Sequence, residues 1–227
     1  NADFVAVAET GVLAPIPDDL SFEEAAPLTD GALTSLNFLR DVAGLKPGQR
    51  VLINGASGGL GTAAVQIAKA FGADVTGVCS GRNSELVLSL GADQVFDYTQ
   101  EDFTNSADRY DVIYDTIGKS SFARCKDVLT ERGLYMSPVL RFGLLFRMLM
   151  TAKGRGRKAR FSATGLRPVP ELRALLRDLV ALIEQGKLVT VLDKTFALDE
   201  TPEAHRYVET GRKRGNVVVI PAHAMAA

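Results

Sequence analysis

The sequence has no tryptophan, only two histidines and only two cysteines in 227 residues. Cys79 and Cys125 have neither the spacing of a metal knuckle nor the number for a disulfide framework, so a reducing cytoplasm is the expected compartment. Neither sign of charge dominates: 26 basic residues face 27 acidic ones, for a net charge of -1. Whole-chain electrostatics therefore gives no reason to expect nucleic acid or an acidic partner. Long hydrophobic runs are also missing. The longest, "FGLLFRMLM" (142–150), is far too short to span a bilayer, and the N-terminus does not read as a signal peptide. No internal repeat or low-complexity tract is present.

What is present is 46% apolar residues, enough core for one large domain or two small ones. The first segment, "DFVAVAETGVLAPIP" (3–17), reads as a strand, and a chain that begins this way without a Met looks like the middle of a longer one. From Val51 onward short apolar runs alternate with helical patterns. "RVLIN" (50–54), "DVTGVC" (74–79), "QVFDY" (94–98), "YDVIYDTIG" (110–118) and "GLYMSPV" (133–139) are strand candidates. Helical spacing is expected over 60–71, 83–91, 120–131, 171–186 and 200–211, with a last pair of strands at 188–198 and 216–221. Fully apolar strands alternating with helices predict an α/β fold with a doubly wound parallel sheet covered on both faces.

The junction "RVLINGASGGLG" (50–61) places four glycines within seven positions, directly after a strand and before a helix. Gly55, Gly58 and Gly61 have G-x-x-G-x-x-G spacing, and Ala56, Gly58 and Gly61 fit G-x-G-x-x-G with Ala in the first slot. In a Rossmann unit such glycines serve the sharp turn, the approach of a pyrophosphate to the helix N-terminus, and helix-on-strand packing. The alternative is a tight turn without a ligand; the strand before, the helix after and the βαβ context favour the dinucleotide.

The second strand then indicates which dinucleotide. NAD sites place an Asp or Glu at its end, about 20 residues past the first glycine, to bond the ribose hydroxyls. Here the strand runs into Ser80, Gly81, Arg82 and Asn83, with no carboxylate. Arg82 supplies a donor fork suited to a 2′-phosphate, and Ser80 and Asn83 can add neutral hydrogen bonds, so the expected cofactor is NADP(H).

The segments "LSFEEAAPLTDGALTSLNFL", "LKPGQRVLINGASGGLGTAAVQIAKAFGADVTGVCS", "SLGADQVFDYTQEDF" and "YDVIYDTIG" resemble the medium-chain dehydrogenase/reductase superfamily, in its zinc-independent, quinone-oxidoreductase-like branch. The resemblance covers nearly the whole chain, is specific from Leu20 to Val139 and is loose from Leu140 to Gly165. It implies a Rossmann domain over 26–165, flanked by remnants of a GroES-like catalytic lobe at 1–25 and 166–227. The front of that lobe is absent, so a fragment with little activity of its own is expected, and the resemblance assigns no catalytic residue.

By the same resemblance, Thr34 would lie near the nicotinamide, although a helix cap is an equal reading of a threonine opening "TSLNFL". Ser57, Gly58, Gly59 and Leu60 would hold the pyrophosphate, and Tyr98 would flank the adenosine ribose. Ile117 and Gly118 would line the adenine side, and Pro138 and Val139 would approach the nicotinamide ribose. Zinc-dependent relatives carry a cysteine ligand where this chain has Asp30, so no metal is expected. His205 and His223 read as solvated.

The implied activity is NADPH-dependent hydride transfer to a quinone or to the β-carbon of an activated alkene. A zinc-type alcohol dehydrogenase and a non-catalytic NADPH-binding sensor or interaction protein are the alternatives. A small-molecule substrate and a homodimer paired through an edge strand at 158–166 are the expected partners. Residues 141–160 hold seven Lys/Arg and no acid. Such a block is usually a solvated face, and peripheral contact with an anionic membrane is the alternative.

Overall fold

The computed structural model describes residues 5–221. Its centre is a six-stranded parallel sheet formed by β1 (Arg50–Asn54), β2 (Asp74–Cys79), β3 (Gln94–Asp97), β4 (Tyr110–Asp115), β5 (Leu129–Met136) and β6 (Lys158–Arg160). The strand order is β3-β2-β1-β4-β5-β6, and every pairing is parallel.

The central strands β1, β2 and β4 are buried over nearly their whole length because both faces are covered. On β1, Val51 and Ile53 enter one core cluster and Leu52 the other; on β4, Val112 and Tyr114 take the first side and Ile113 the second. This is the alternation of a strand feeding two layers. The helices are α1 (Phe22–Ala25), α2 (Gly31–Leu36), α3 (Gly59–Ala70), α4 (Ser84–Ser89), α5 (Phe122–Cys125), α6 (Phe142–Thr151), α7 (Val169–Glu184) and α8 (Thr201–Glu209). The first side is packed by α2, α3 and α7, with Leu33, Leu36, Ile67, Leu175 and Leu179 at the contact, whereas Leu144 of α6 and Phe122 and Cys125 of α5 pack the second. Helix α7 thus shares the core of the sheet although it lies beyond residue 165.

After α7 the chain forms a two-stranded parallel sheet, β7 (Leu192–Ala197) and β8 (Asn216–Ile220), joined through α8. The buried amide of Gln66 on α3 fastens the chain ahead of it, donating to Val189 O at 3.0 Å and accepting from Val189 N at 2.9 Å.

Two expectations are corrected. Residues 5–17 form no strand; they run irregularly, with Gly11 N donating to Ala8 O, while residues 3 and 4 lie outside the described residues. Pro15 and Pro17 remove ladder donors, and Arg173 of α7 takes the carbonyls of Gly11 and Glu9 at 2.7 and 2.8 Å. The helix expected over 120–131 is only α5 and a 3-10 turn, Lys126–Val128, before β5 begins four residues earlier than its apolar run indicates. Sheet pairing recruits Leu129, which is fully buried opposite Tyr110.

Candidate functional site

Strands β1 and β4 are neighbours, and their connections leave in opposite directions to β2 and β5. That reversal opens a crevice at the carboxyl ends of the strands, where ligands bind in doubly wound sheets. The two strands end level, with Asn54 beside Asp115 in the register, and Asn54 Nδ2 donates to Asp115 Oδ1 at 2.9 Å.

The glycine turn starts from that edge. Gly55 has φ +84, a left-handed conformation, and the amides of Gly55 and Ala56 both donate to Val78 O at 3.0 Å. Gly61 is needed for a different reason: a Cβ there would stand 2.1 Å from Gly55 O and 2.7 Å from the Ala56 backbone. Gly58 is the N-cap of α3, and a Cβ on it would meet only Gly55 O, at 3.6 Å. That side is open. Among the described residues the amides of Leu60 and Gly61 have no backbone acceptor outside the helix. Orphan donors at the start of a 12-residue helix, beside an open glycine face, fit the pyrophosphate of a dinucleotide.

The structure brings most of the expected residues to this edge, each just past the end of a strand. Ser57 to Leu60 follow β1, Ser80, Arg82 and Asn83 follow β2, and Tyr98 follows β3. Ile117 and Gly118 follow β4, and Pro138 and Val139 follow β5. Ile117 leans over the turn, since its Cγ2 would be 2.8 Å from a Cβ on Gly55. Gly118 packs against Val139, whose Cβ would be 2.7 Å from a side chain there. Arg82 and Tyr98 are exposed. Asn83 is buried instead: its Nδ2 donates to the hydroxyls of Ser57 (3.1 Å) and Ser80 (3.3 Å), and its Oδ1 has no partner among the described residues. It therefore holds the turn after β2 against the glycine turn.

Thr34 does not open a helix. Helix α2 starts at Gly31, and Thr34 N already donates to Asp30 O at 2.9 Å, so the capping reading is corrected. Helix α2 nevertheless abuts the turn, with Gly31 packed on Gly59 and Ser35 Oγ donating to Leu60 O at 2.9 Å.

Four residues at the site were not foreseen. Gly215 N donates to Ser57 O at 2.8 Å, and Gly215 pairs with Gly58 as an isolated parallel bridge. Asn216 Oδ1 and Lys213 Nζ would stand 2.5 and 3.4 Å from a Cβ on Gly59. Lys213 Nζ donates to Gly215 O at 2.6 Å, and its pKa is lowered by burial, against the pull of Asp193 and Asp30. A partly buried ammonium and the start of α3 are two positive features in one place. Asp97, the last residue of β3, is also near: its Oδ2 would be 2.4 Å from a Cβ on Gly81. Its Oδ1 is held by the amide and hydroxyl of Thr99 at 2.9 and 2.7 Å, which lower its pKa. Tyr207, whose hydroxyl donates to Asp193 at 2.7 Å and is raised in pKa by it, also feels Arg82 and Arg214. The spacing of these residues in the chain carries no signal that would pair them.

The donor set does not suit zinc. Asp30 is exposed, burial pushes the Cys125 thiol up to about 11 and raises that of Cys79, and zinc requires the thiolate. Among the described residues no three His, Cys, Asp or Glu gather closely enough to hold a metal. His205 is exposed on α8, and His223 lies outside the described residues.

Comparison with known proteins agrees with this layout. A family model described as zinc-binding dehydrogenase matches residues 90–219. A mouse (Mus musculus) protein, NAD(P)H oxidoreductase RTN4IP1, mitochondrial, is 36% identical over 232 residues, covering 89% of this chain and 57% of its own. The 2-methylene-furan-3-one reductase of Solanum lycopersicum is 34% identical, covering 97% of this chain and 52% of its own. Among solved structures, the quinone oxidoreductase from Coxiella burnetii superposes with a TM-score of 0.77 at 32% identity, over 89% of this chain and 62% of that one. The chain thus spans little more than half the length of the curated relatives named. With the turn, the sheet order and these matches together, the chain belongs to the zinc-binding dehydrogenase family, in the quinone-oxidoreductase-like branch of the medium-chain dehydrogenase/reductase superfamily.

Proposed function

We propose that this chain carries the cofactor-binding part of an NADPH-dependent oxidoreductase that reduces a quinone or an activated alkene. The observation that carries the reading is the pairing of an open glycine turn with a second strand whose carboxyl end has no carboxylate and is followed by an exposed Arg82. The names of the relatives, quinone oxidoreductase and 2-methylene-furan-3-one reductase, support the acceptor class.

A bound nicotinamide cofactor supplies the hydride. The amides of Leu60 and Gly61 would donate to the pyrophosphate, the Lys213 ammonium would offset its charge, and Arg82 would take the 2′-phosphate. Ile117, Gly118, Pro138 and Val139 confine the rings and exclude water, with Thr34 and Tyr98 at the two ends of the site. Asp97 lies close to the Gly81 turn, and its Oδ1 is already bonded to the amide and hydroxyl of Thr99.

The open edge of β6 (Lys158–Arg160) supports pairing with a second copy. Two free, buried cysteines are in keeping with the cytoplasm. Among the described residues no helix is long and apolar enough to cross a membrane.

Calorimetric titration with NADPH and NADH, followed by NADPH oxidation in the presence of a quinone, tests the proposal. Tighter binding of NADPH is expected; a preference for NADH, or binding of neither, would overturn it.

A further inference from the structure

Helix α6 turns its apolar face outward. Leu144 is buried and Met148, one turn on, packs against the second core cluster, which fixes the inward side. On the other side Phe142, Leu145, Phe146, Leu149 and Met150 recur at i, i+3, i+4, i+7 and i+8. All five are exposed, from 44% for Leu145 to 93% for Phe142. Scattered exposed leucines need no explanation, but a contiguous stripe of five bulky apolar side chains does. The pattern is that of a surface helix whose wide apolar face ought to be buried against something.

The charge around the stripe indicates what that is. Residues 141–160 contain seven Lys/Arg and no acid, in a chain of net charge -1. None of the seven joins an ion pair among the described residues, where all eight ion pairs lie elsewhere. Arg147 flanks the stripe and is exposed, as are Arg141 before the helix and Lys153 and Arg155 in the loop after it. A protein partner would have to match these scattered cations one by one. A lipid surface supplies phosphate without directional demands and receives the stripe at the boundary of headgroups and acyl chains.

We propose that α6 and the loop that follows it seat this protein on an anionic membrane surface. The helix, at ten residues, lies in the interface and does not span it. Each cation near such a surface adds roughly fivefold to partitioning, and screening by salt removes much of that gain.

Cosedimentation of the whole chain with phosphatidylserine-containing vesicles and with pure phosphatidylcholine vesicles, at low and physiological salt, tests this. Binding to the anionic vesicles at low salt is expected, roughly tenfold or more above the neutral ones and falling as salt rises. The double variants Phe146→Glu with Leu149→Glu, and Lys153→Glu with Arg155→Glu, alter exposed side chains and leave the fold intact by circular dichroism. Each should lower anionic partitioning roughly tenfold or more. No binding at low salt, equal binding to neutral vesicles, or binding unchanged in both variants would overturn the proposal. So would a Phe146→Glu, Leu149→Glu protein that loses self-association while the parent ignores vesicles, because the stripe would then be a contact between copies.

Discussion

The amide of Gly215 donates to the carbonyl of Ser57 at 2.8 Å, so the chain after α8 returns to close the turn that follows β1. This contact brings Lys213 and Asn216 to Gly59 and makes the glycine turn a joint between two distant segments. Four predictions follow the residues outward from that joint.

Gly58 and Gly61 should respond differently to alanine. At Gly61 the new methyl would meet backbone on both sides, at 2.1 Å from Gly55 O and 2.7 Å from Ala56, and backbone cannot step aside. Gly61→Ala should cost about 1–3 kcal/mol or more in urea denaturation and abolish NADPH binding. At Gly58 the methyl meets only Gly55 O at 3.6 Å, and φ is already -86. Gly58→Ala should therefore keep its stability and lose affinity, because the methyl occupies the face open to the ligand.

Arg82 should discriminate between the cofactors. An exposed arginine on a 2′-phosphate is worth about 1.5–3 kcal/mol, or roughly ten- to a hundredfold in affinity. Arg82→Ala should weaken NADPH by that factor and leave NADH almost unchanged in calorimetric titration. Equal losses for both would place Arg82 elsewhere, and a gain for NADH would point to Asp97 as the ribose ligand.

Lys213 should act on both cofactors alike, since the pyrophosphate is common to them. Lys213→Met is expected to weaken NADPH and NADH by the same factor, roughly tenfold for one charge-assisted contact. Burial lowers the pKa of Lys213 from its ordinary 10.5, so its charge is lost at a lower pH than that of a free lysine. Affinity should fall as pH rises through that lowered value, and Lys213→Met should flatten the profile. Stability moves the other way: the unfolded chain holds this proton more tightly, so the Lys213 contribution improves as pH climbs through the same window.

Asp115 should matter for folding. Its buried carboxylate accepts from Asn54 Nδ2 at 2.9 Å, Ser120 N at 2.8 Å and Tyr135 OH at 2.8 Å. Asp115→Ala orphans these donors, at about 1–3 kcal/mol for each that stays dry, whereas Tyr135→Phe removes one bond for about 1 kcal/mol. Chemical denaturation of both variants measures the ratio, and near-equal losses would show that water replaces the carboxylate.

How much of this was legible in the sequence depends on how local the cause is. Val51 to Asn54 form a strand, and the glycines that follow form a turn, because apolar runs and bare backbone act within a few residues of themselves. The end of β2 could likewise be read without a carboxylate, since Ser80 to Asn83 are contiguous. The sequence by itself determined the parallel sheet, the glycine turn at its edge and the arginine beside it. Where packing decides, the reading failed or was silent. The run at 5–17 has strand-like residues but its backbone is taken up by Arg173 of α7, and Leu129 joins β5 because Tyr110 lies opposite. Asn83 turns inward to two hydroxyls, and α6 turns its wider apolar face to the outside. Lys213, Asn216 and Asp97 reach the site only because β8 folds back onto the turn and β3 ends beside β2. Side-chain direction and the meeting of remote segments are set by how whole elements pack, and no local spacing records them.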